Sequence, residues 1–226
     1  RTANGKISPF EGASVERGMG MRVISSSPTS ASVERRTAET VVRVSVEEGP
    51  RRPWQISTGS AFLDHMVEML AFYSGLNIDA SVEASRRLMH TIAEDLGIAL
   101  GAALRAMAEE RISSTGCRCQ GFAQAVLDEA YSQARISYEG RALAVVENHA
   151  GRFGQVEDIQ EEFLVAALEG LAQGMRATVH VDIMRGRDPH HAWESAFRAL
   201  GSAIRSAFER DEWRRGSIAG VKGTPD

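Results

Sequence analysis

Apolar and polar positions along this chain change period several times, and each change marks an element. Over Thr40–Val46, Val42, Val44 and Val46 alternate with polar or exposed neighbours, the period of a half-buried strand. Glu48-Gly49-Pro50 ends that strand, and Pro53–Ser57 reads as a return strand. After Thr58-Gly59-Ser60 the period lengthens. Phe62, Met66, Met69, Leu70 and Tyr73 recur at helical spacing and predict a helix over Ala61–Ser74. Leu76–Val82 reads as a strand and Ala84–Met89 as a loop. A long helix opens at His90 and runs to about Glu110.

The second half repeats this order. Ala123–Leu127 and Ala134–Tyr138 are short strands flanking Asp128-Glu129, and Arg141–Val146 is another after the Glu139-Gly140 turn. Asp158–Gly174 is an amphipathic helix with Asp158 as its expected N-cap. Ala177, Val179, Val181 and Ile183 alternate in a strand over Arg176–Met184. Gly186-Arg187-Asp188-Pro189 is a loop, and His190–Glu209 the closing helix. Each half thus reads β-β-α-β-α, an α+β fold with helices packed on one face of a mostly antiparallel sheet. Whether the halves meet through their sheets or their helices is open at this stage. The expected organisation is a flexible N-terminal extension over 1–32, half-domains over 33–116 and 117–215, and a tail over 216–226. The extension is assigned from its Gly, Pro and Ser content and its few large apolar residues. Its Ala13-Ser14-Val15-Glu16-Arg17 recurs across its end as Ala31-Ser32-Val33-Glu34-Arg35.

Composition narrows the function classes. The chain has 226 residues and 43% hydrophobic content, enough for a sizeable core. A net charge of −4 provides no general affinity for nucleic acid or anionic membrane, and no apolar run approaches the roughly 20 residues of a membrane span. Cys117 and Cys119 are the only cysteines, too close for an ordinary bridge. A reducing, cytoplasmic setting fits them, with an organellar one left open.

The candidate chemistry lies in a pattern that occurs twice. His90, Glu94, Leu100, Gly101, Ala103 and Arg105 are matched by His190, Glu194, Leu200, Gly201, Ala203 and Arg205, one hundred positions apart. Side chains four apart share a helix face, so each copy sets an imidazole beside a carboxylate in the first turn, a metal-ligand pair. Duplication for packing alone would account for the Leu-Gly-x-Ala tail but not for the repeated His and Glu. His191 extends the second copy to His-His-x-x-Glu, a donor set suited to Mn²⁺, Fe²⁺ or Zn²⁺. His65 follows Asp64, a candidate orienting carboxylate. His180 reads as a hydrogen-bonded core histidine and His149 as a solvated one. Arg141 and Lys222 are candidate anion contacts, although a solvated charge is the plainer reading of either alone.

Four segments carry a resemblance: Arg36-Thr37-Ala38-Glu39-Thr40, Phe62-Leu63-Asp64-His65-Met66, the run from Glu94 to Gly101, and Gly186-Arg187-Asp188-Pro189-His190-His191-x-x-Glu194-Ser195-Ala196-Phe197. Together, in order and spacing over about residues 33–223, they resemble the imidazoleglycerol-phosphate dehydratase family of histidine biosynthesis. The resemblance implies a duplicated fold, a 24-subunit shell with metal sites between subunits, and two Mn²⁺ ions per chain that bind the substrate imidazole as an imidazolate. It implies His65, His90, Glu94, His190, His191 and Glu194 at metal. It places Glu39 in the substrate region, as a substrate contact or acid/base alongside the carboxylates Glu94 and Glu194, and Arg141 and Lys222 at phosphate. Against the family pattern, Tyr73, Met89, Thr91 and Ala166 stand at metal-site positions and Cys119 stands where an arginine contacts phosphate, so one metal or none is also an expectation. The leading expectation is a metal-dependent hydro-lyase acting on a small phosphorylated imidazole in a homo-oligomer. The alternative is a catalytically silent paralogue that co-assembles with an active subunit. A metal-binding module with a single site is a third.

Overall fold

The computed structural model describes residues 19–217. In chain order the strands are β1 (Gly20–Ser27), β2 (Ser30–Arg36), β3 (Thr40–Glu48), β4 (Ile56–Ser57), β5 (Leu76–Ala84), β6 (Gln120–Leu127), β7 (Ala130–Ser137), β8 (Leu143–Asn148), β9 (Gln155–Val156), β10 (Ile159–Gln160) and β11 (Thr178–Arg185). The helices are α1 (Ala61–Ser74), α2 (Met89–Ser114), α3 (Glu161–Met175) and α4 (Pro189–Ala207). One sheet has the order β1-β2-β3-β5-β4 and the other β6-β7-β11-β8. All pairs in them are antiparallel except β4 on β5 and β8 on β11. Each sheet therefore ends in a strand that runs with its neighbour, and with β1 set aside the two orders are the same.

Alternation fixes which face each sheet buries. In β3, Val42, Val44 and Val46 are buried while Arg43 points outward, and in β11 Val179, Val181 and Ile183 do the same against outward His180 and Asp182. The helices cover these inner faces, α2 lying on β2 and β3 and α4 on β6 and β7. The halves meet through their helices, and the partners are exchanged: α1 packs on α4, and α2 on α3. Leu63, Val67, Leu96, Leu100, Leu168 and Phe197 converge from all four helices, so the halves share one core.

Buried polar groups bind this core to the sheets. Asp95 of α2 accepts from Arg35 Nε at 2.8 Å and from the Thr40 hydroxyl. Buried Arg111 donates to Glu48 Oε2 at 2.7 Å and to the Pro28 carbonyl at 2.9 Å. Removing one partner of such a pair leaves a buried charge without compensation.

Several expectations need correction. Residues 20–32 are not part of an extension: β1 and β2 form a hairpin on the edge of the first sheet, and only residues 1–18 of the expected extension lie outside the described residues. The exposed pattern of β1, with Ser25, Ser26 and Ser27 at its end, hid it from a search for buried alternation. The return strand shrinks from Pro53–Ser57 to two residues. Asp158 does not cap α3, which starts three residues later after Gln160. It instead accepts from Ala61 N at 2.8 Å, Phe62 N at 3.0 Å and Ser60 Oγ at 2.9 Å, and so satisfies the first turn of α1. His180 is half-buried on the outer face of its sheet, not in the core.

Candidate metal centre

His65 lies in the first turns of α1, held by the capping of Ser60 and Asp158. His190 and Glu194 lie four apart on α4, whose N-cap Asp188 accepts from His190 N and whose first residue is Pro189, a start that fixes the phase of the first turn. Because α1 packs on α4, the two helices bring three donors together. His65 Nε2 is 3.0 Å and His190 Nε2 3.1 Å from the same oxygen, Glu194 Oε2. These atoms all lie within 4.8 Å of one another. Glu194 is buried, with a side-chain exposure of 8%. Its other oxygen, Oε1, takes Arg198 Nε at 2.9 Å and a second bond from Nη2, and the guanidinium lies 5.4 Å over the Tyr73 ring. Burial alone would raise the Glu194 carboxyl, but hydrogen bonds from His65 and Arg198 outweigh it and hold the group below its usual range.

Two turns orient the imidazoles. Glu157, between β9 and β10, contacts His190 Nδ1 at 3.0 Å, which leaves Nε2 to face Glu194. Glu129, between β6 and β7, takes His191 Nδ1 at 2.9 Å and the amides of Arg187 and Asp188 at 3.0 and 2.9 Å. Those bonds, the Asp188 amide first, hold the Glu129 carboxyl down to about 2. A lowered carboxylate stabilises the fold above its unfolded value, and the contribution is lost as pH falls through the folded value. Glu129→Gln is therefore expected to lower the melting temperature by a constant amount above about pH 4.5, with the gap to wild type closing towards pH 2. Melting curves across that range check it.

Other candidate residues stand apart. His90, exposed, and Glu94, half-buried, open α2 with Nε2 and Oε2 3.8 Å apart, and the Phe163 ring of α3 stands edge-on to the imidazole at 5.8 Å. Ala166, on the same helix, is buried. The α2/α3 crossing thus offers two donors, His90 and Glu94, where α1/α4 offers three. His191 turns away from His190, their rings 6.1 Å apart at 85°. Glu39 is exposed in the turn between β2 and β3, where its carbonyl accepts from Ser85 N at 2.9 Å, beside the loop into α2. Arg141 is exposed and pairs with Glu139 at 3.0 Å. It precedes β8 near Ala177, whereas His190 follows the far end of β11. An eight-residue strand spans about 25 Å at about 3.3 Å per residue, so one chain does not bring Arg141 to the metal cluster. Lys222 lies outside the described residues.

Asp64 does not orient His65. Its Oδ1 takes the amide and hydroxyl of Thr58 at 2.7 and 2.6 Å. Cys117 and Cys119 are free and buried. A second cluster, Glu147, His149 and Asp182, also has donor atoms within 4.8 Å, but Arg135 Nη1 already neutralises Asp182 at 2.6 Å. Arg198 was missed in the sequence although its position four after Glu194 signals it. Glu157 and Glu129 had no such signal, since each reaches a helix far along the chain.

Two related α+β halves with a His, His, Glu cluster where α1 and α4 cross define a duplicated protein with a candidate site for a divalent cation. The family model for imidazoleglycerol-phosphate dehydratase matches residues 58–204. The imidazoleglycerol-phosphate dehydratase of Methylococcus capsulatus is 33% identical over 195 residues, 85% of this chain and 96% of that one. Its counterpart from Pyricularia oryzae is 36% identical over 170 residues, covering 75% and 74%. The crystal structure of the Pyrococcus furiosus enzyme superposes with a TM-score of 0.71 at 30% identity, over 84% of this chain and 98% of that one. The chain belongs to the imidazoleglycerol-phosphate dehydratase family, whose members are metal-dependent hydro-lyases.

Proposed function

We propose that this chain dehydrates imidazoleglycerol phosphate to imidazole acetol phosphate and water, a step of histidine biosynthesis, with a divalent cation held by His65, His190 and Glu194. The observation that carries the reading is the convergence of two imidazole Nε2 atoms on one carboxylate oxygen. Two imidazoles and a carboxylate fit Mn²⁺, and Fe²⁺ or Zn²⁺ nearly as well. An ion bound there would draw charge from the substrate ring as the neighbouring C–H proton leaves. His191, with Nδ1 committed to Glu129, offers Nε2 outward to the substrate or a further ion. His90 and Glu94 would hold an ion only with donors from another chain. Glu39, Glu94 and Glu194 are the carboxylates proposed to contact substrate or exchange protons.

Phosphate would be held by Arg141 and Lys222. With Arg141 at the opposite end of β11, the Arg141 at a given site would belong to a neighbouring subunit, which makes a symmetric oligomer part of the proposal. The test is an assay of the purified chain after chelation and after reloading with Mn²⁺. Turnover is expected only in the reloaded protein and is expected to vanish in His190→Ala. No turnover in the reloaded protein would favour a silent subunit, the reading supported by the two-donor crossing at His90 and by Tyr73 beneath Arg198. Native mass measurement would then find it co-assembled with a second, active chain.

A further inference from the structure

Between β9 and β10 the backbone turns through Glu157 with φ +52°. That is the left-handed region, which glycine enters freely and a glutamate does not. The side chain of this disfavoured residue reaches His190 Nδ1 at 3.0 Å. The next residue, Asp158, accepts from Ser60 Oγ, Ala61 N and Phe62 N at the start of α1. One two-residue turn therefore grips both helices that carry the His65, His190 and Glu194 donors, although it belongs to neither. Strained residues persist where the surroundings over-determine them, and they collect at functional sites.

We infer that Glu157 is a positioning residue: its carboxylate takes Nδ1 of the His190 imidazole and sets the ring with Nε2 aimed at His65 and at Glu194 Oε2, 3.1 Å away, so that the site is assembled before an ion arrives. The significance for metal rests on the function proposed above, but the orientation of the imidazole does not. A carboxylate on the outer ring nitrogen fixes the tautomer and makes the other nitrogen a better donor. The left-handed backbone is retained because it points this side chain at α4, which glycine could not do.

Three forms of the full chain test this: wild type, Glu157→Gly and Glu157→Gln. Imidazole ¹⁵N spectra of the metal-free proteins, recorded above pH 8 with His190 assigned through His190→Gln, read the tautomer directly. Wild type and Glu157→Gln, whose amide oxygen can still accept, are expected to show Nδ1 protonated. Glu157→Gly is expected to lose that preference, to keep or raise its melting temperature because glycine suits the turn, and to bind Mn²⁺ at least about tenfold more weakly. An unchanged His190 tautomer in Glu157→Gly overturns the inference, as does a fall in melting temperature that accompanies the weaker binding, which would mark Glu157 as merely structural. If the tautomer changes but wild type holds no Mn²⁺, the positioning role stands and the proposed function fails. If wild type binds Mn²⁺ and Glu157→Gly binds it equally, the positioning role fails while the metal site stands.

Discussion

Gly101→Ala is expected to destabilise the protein by about 3 kcal/mol or more, the upper end for overpacking a filled interior. A Cβ at Gly101 would stand 2.2 Å from the Leu171 carbonyl oxygen and 2.6 Å from Met175 N. These are backbone atoms of α3, so no side chain can rotate out of the way, and the two helices would have to separate. The crossing is reciprocal: a Cβ at Gly97 would meet Ala167 O at 2.1 Å, one at Gly170 would meet Glu94 O at 2.4 Å, and one at Gly174 would meet Ile98 O at 2.0 Å. Four glycines on two helices let the halves approach backbone to backbone. For a chain of this size the melting temperature should fall by about 6–12 °C, at about 2–4 °C per kcal/mol. Gly49→Ala, where nothing lies within 4 Å of the added carbon, serves as the control and should melt close to wild type. Equal melting of the two variants would mean that α2 and α3 do not cross as described.

Glu194→Gln carries the second large effect. The substitution keeps the shape of the side chain and removes its charge, so it separates packing from metal binding. Both His65 and His190 converge on Glu194 Oε2 while Arg198 holds Oε1. With a neutral amide in its place Arg198 loses its counter-charge, and the loss of hydrogen bonding to a charged group costs about 1.5–3 kcal/mol. The larger consequence falls on metal. Outer partners of a ligand are worth about 10–100-fold in affinity, and a ligand itself should exceed that range. Mn²⁺ affinity is therefore expected to fall more than about 100-fold, checked by titration against a competing chelator. A Glu194→Gln protein that binds Mn²⁺ as wild type does would remove Glu194 from the site.

Much of this arrangement was legible before the structure. The repeat that sets His90 with Glu94 and His190 with Glu194 lies on α2 and α4, and the α+β order of the halves followed from valine alternation in β3 and β11. The tail of the same repeat has a physical meaning: Gly101 lies against α3, and Gly201 against Tyr73 and Leu70 of α1. What was not legible depends on contacts between distant segments. Asp158 has the features of an N-cap, but the helix it caps starts 97 residues earlier in the chain. Glu157 and Glu129 lie in turns whose partners are on α4. Strand β1 exposes nearly every residue, so no burial pattern marked it. The intrachain separation of Arg141 from His190 was hidden as well, since strand polarity sets it and side-chain type does not.

The most direct test of the account is the number of manganese ions each chain retains after reloading and desalting, measured by elemental analysis on wild type and Glu194→Gln together. The three-donor site at the α1/α4 crossing predicts one tightly held ion per chain in wild type and loss of that ion in the variant. Equal manganese in the two proteins, or none in wild type, would contradict the assignment of His65, His190 and Glu194 as the metal centre.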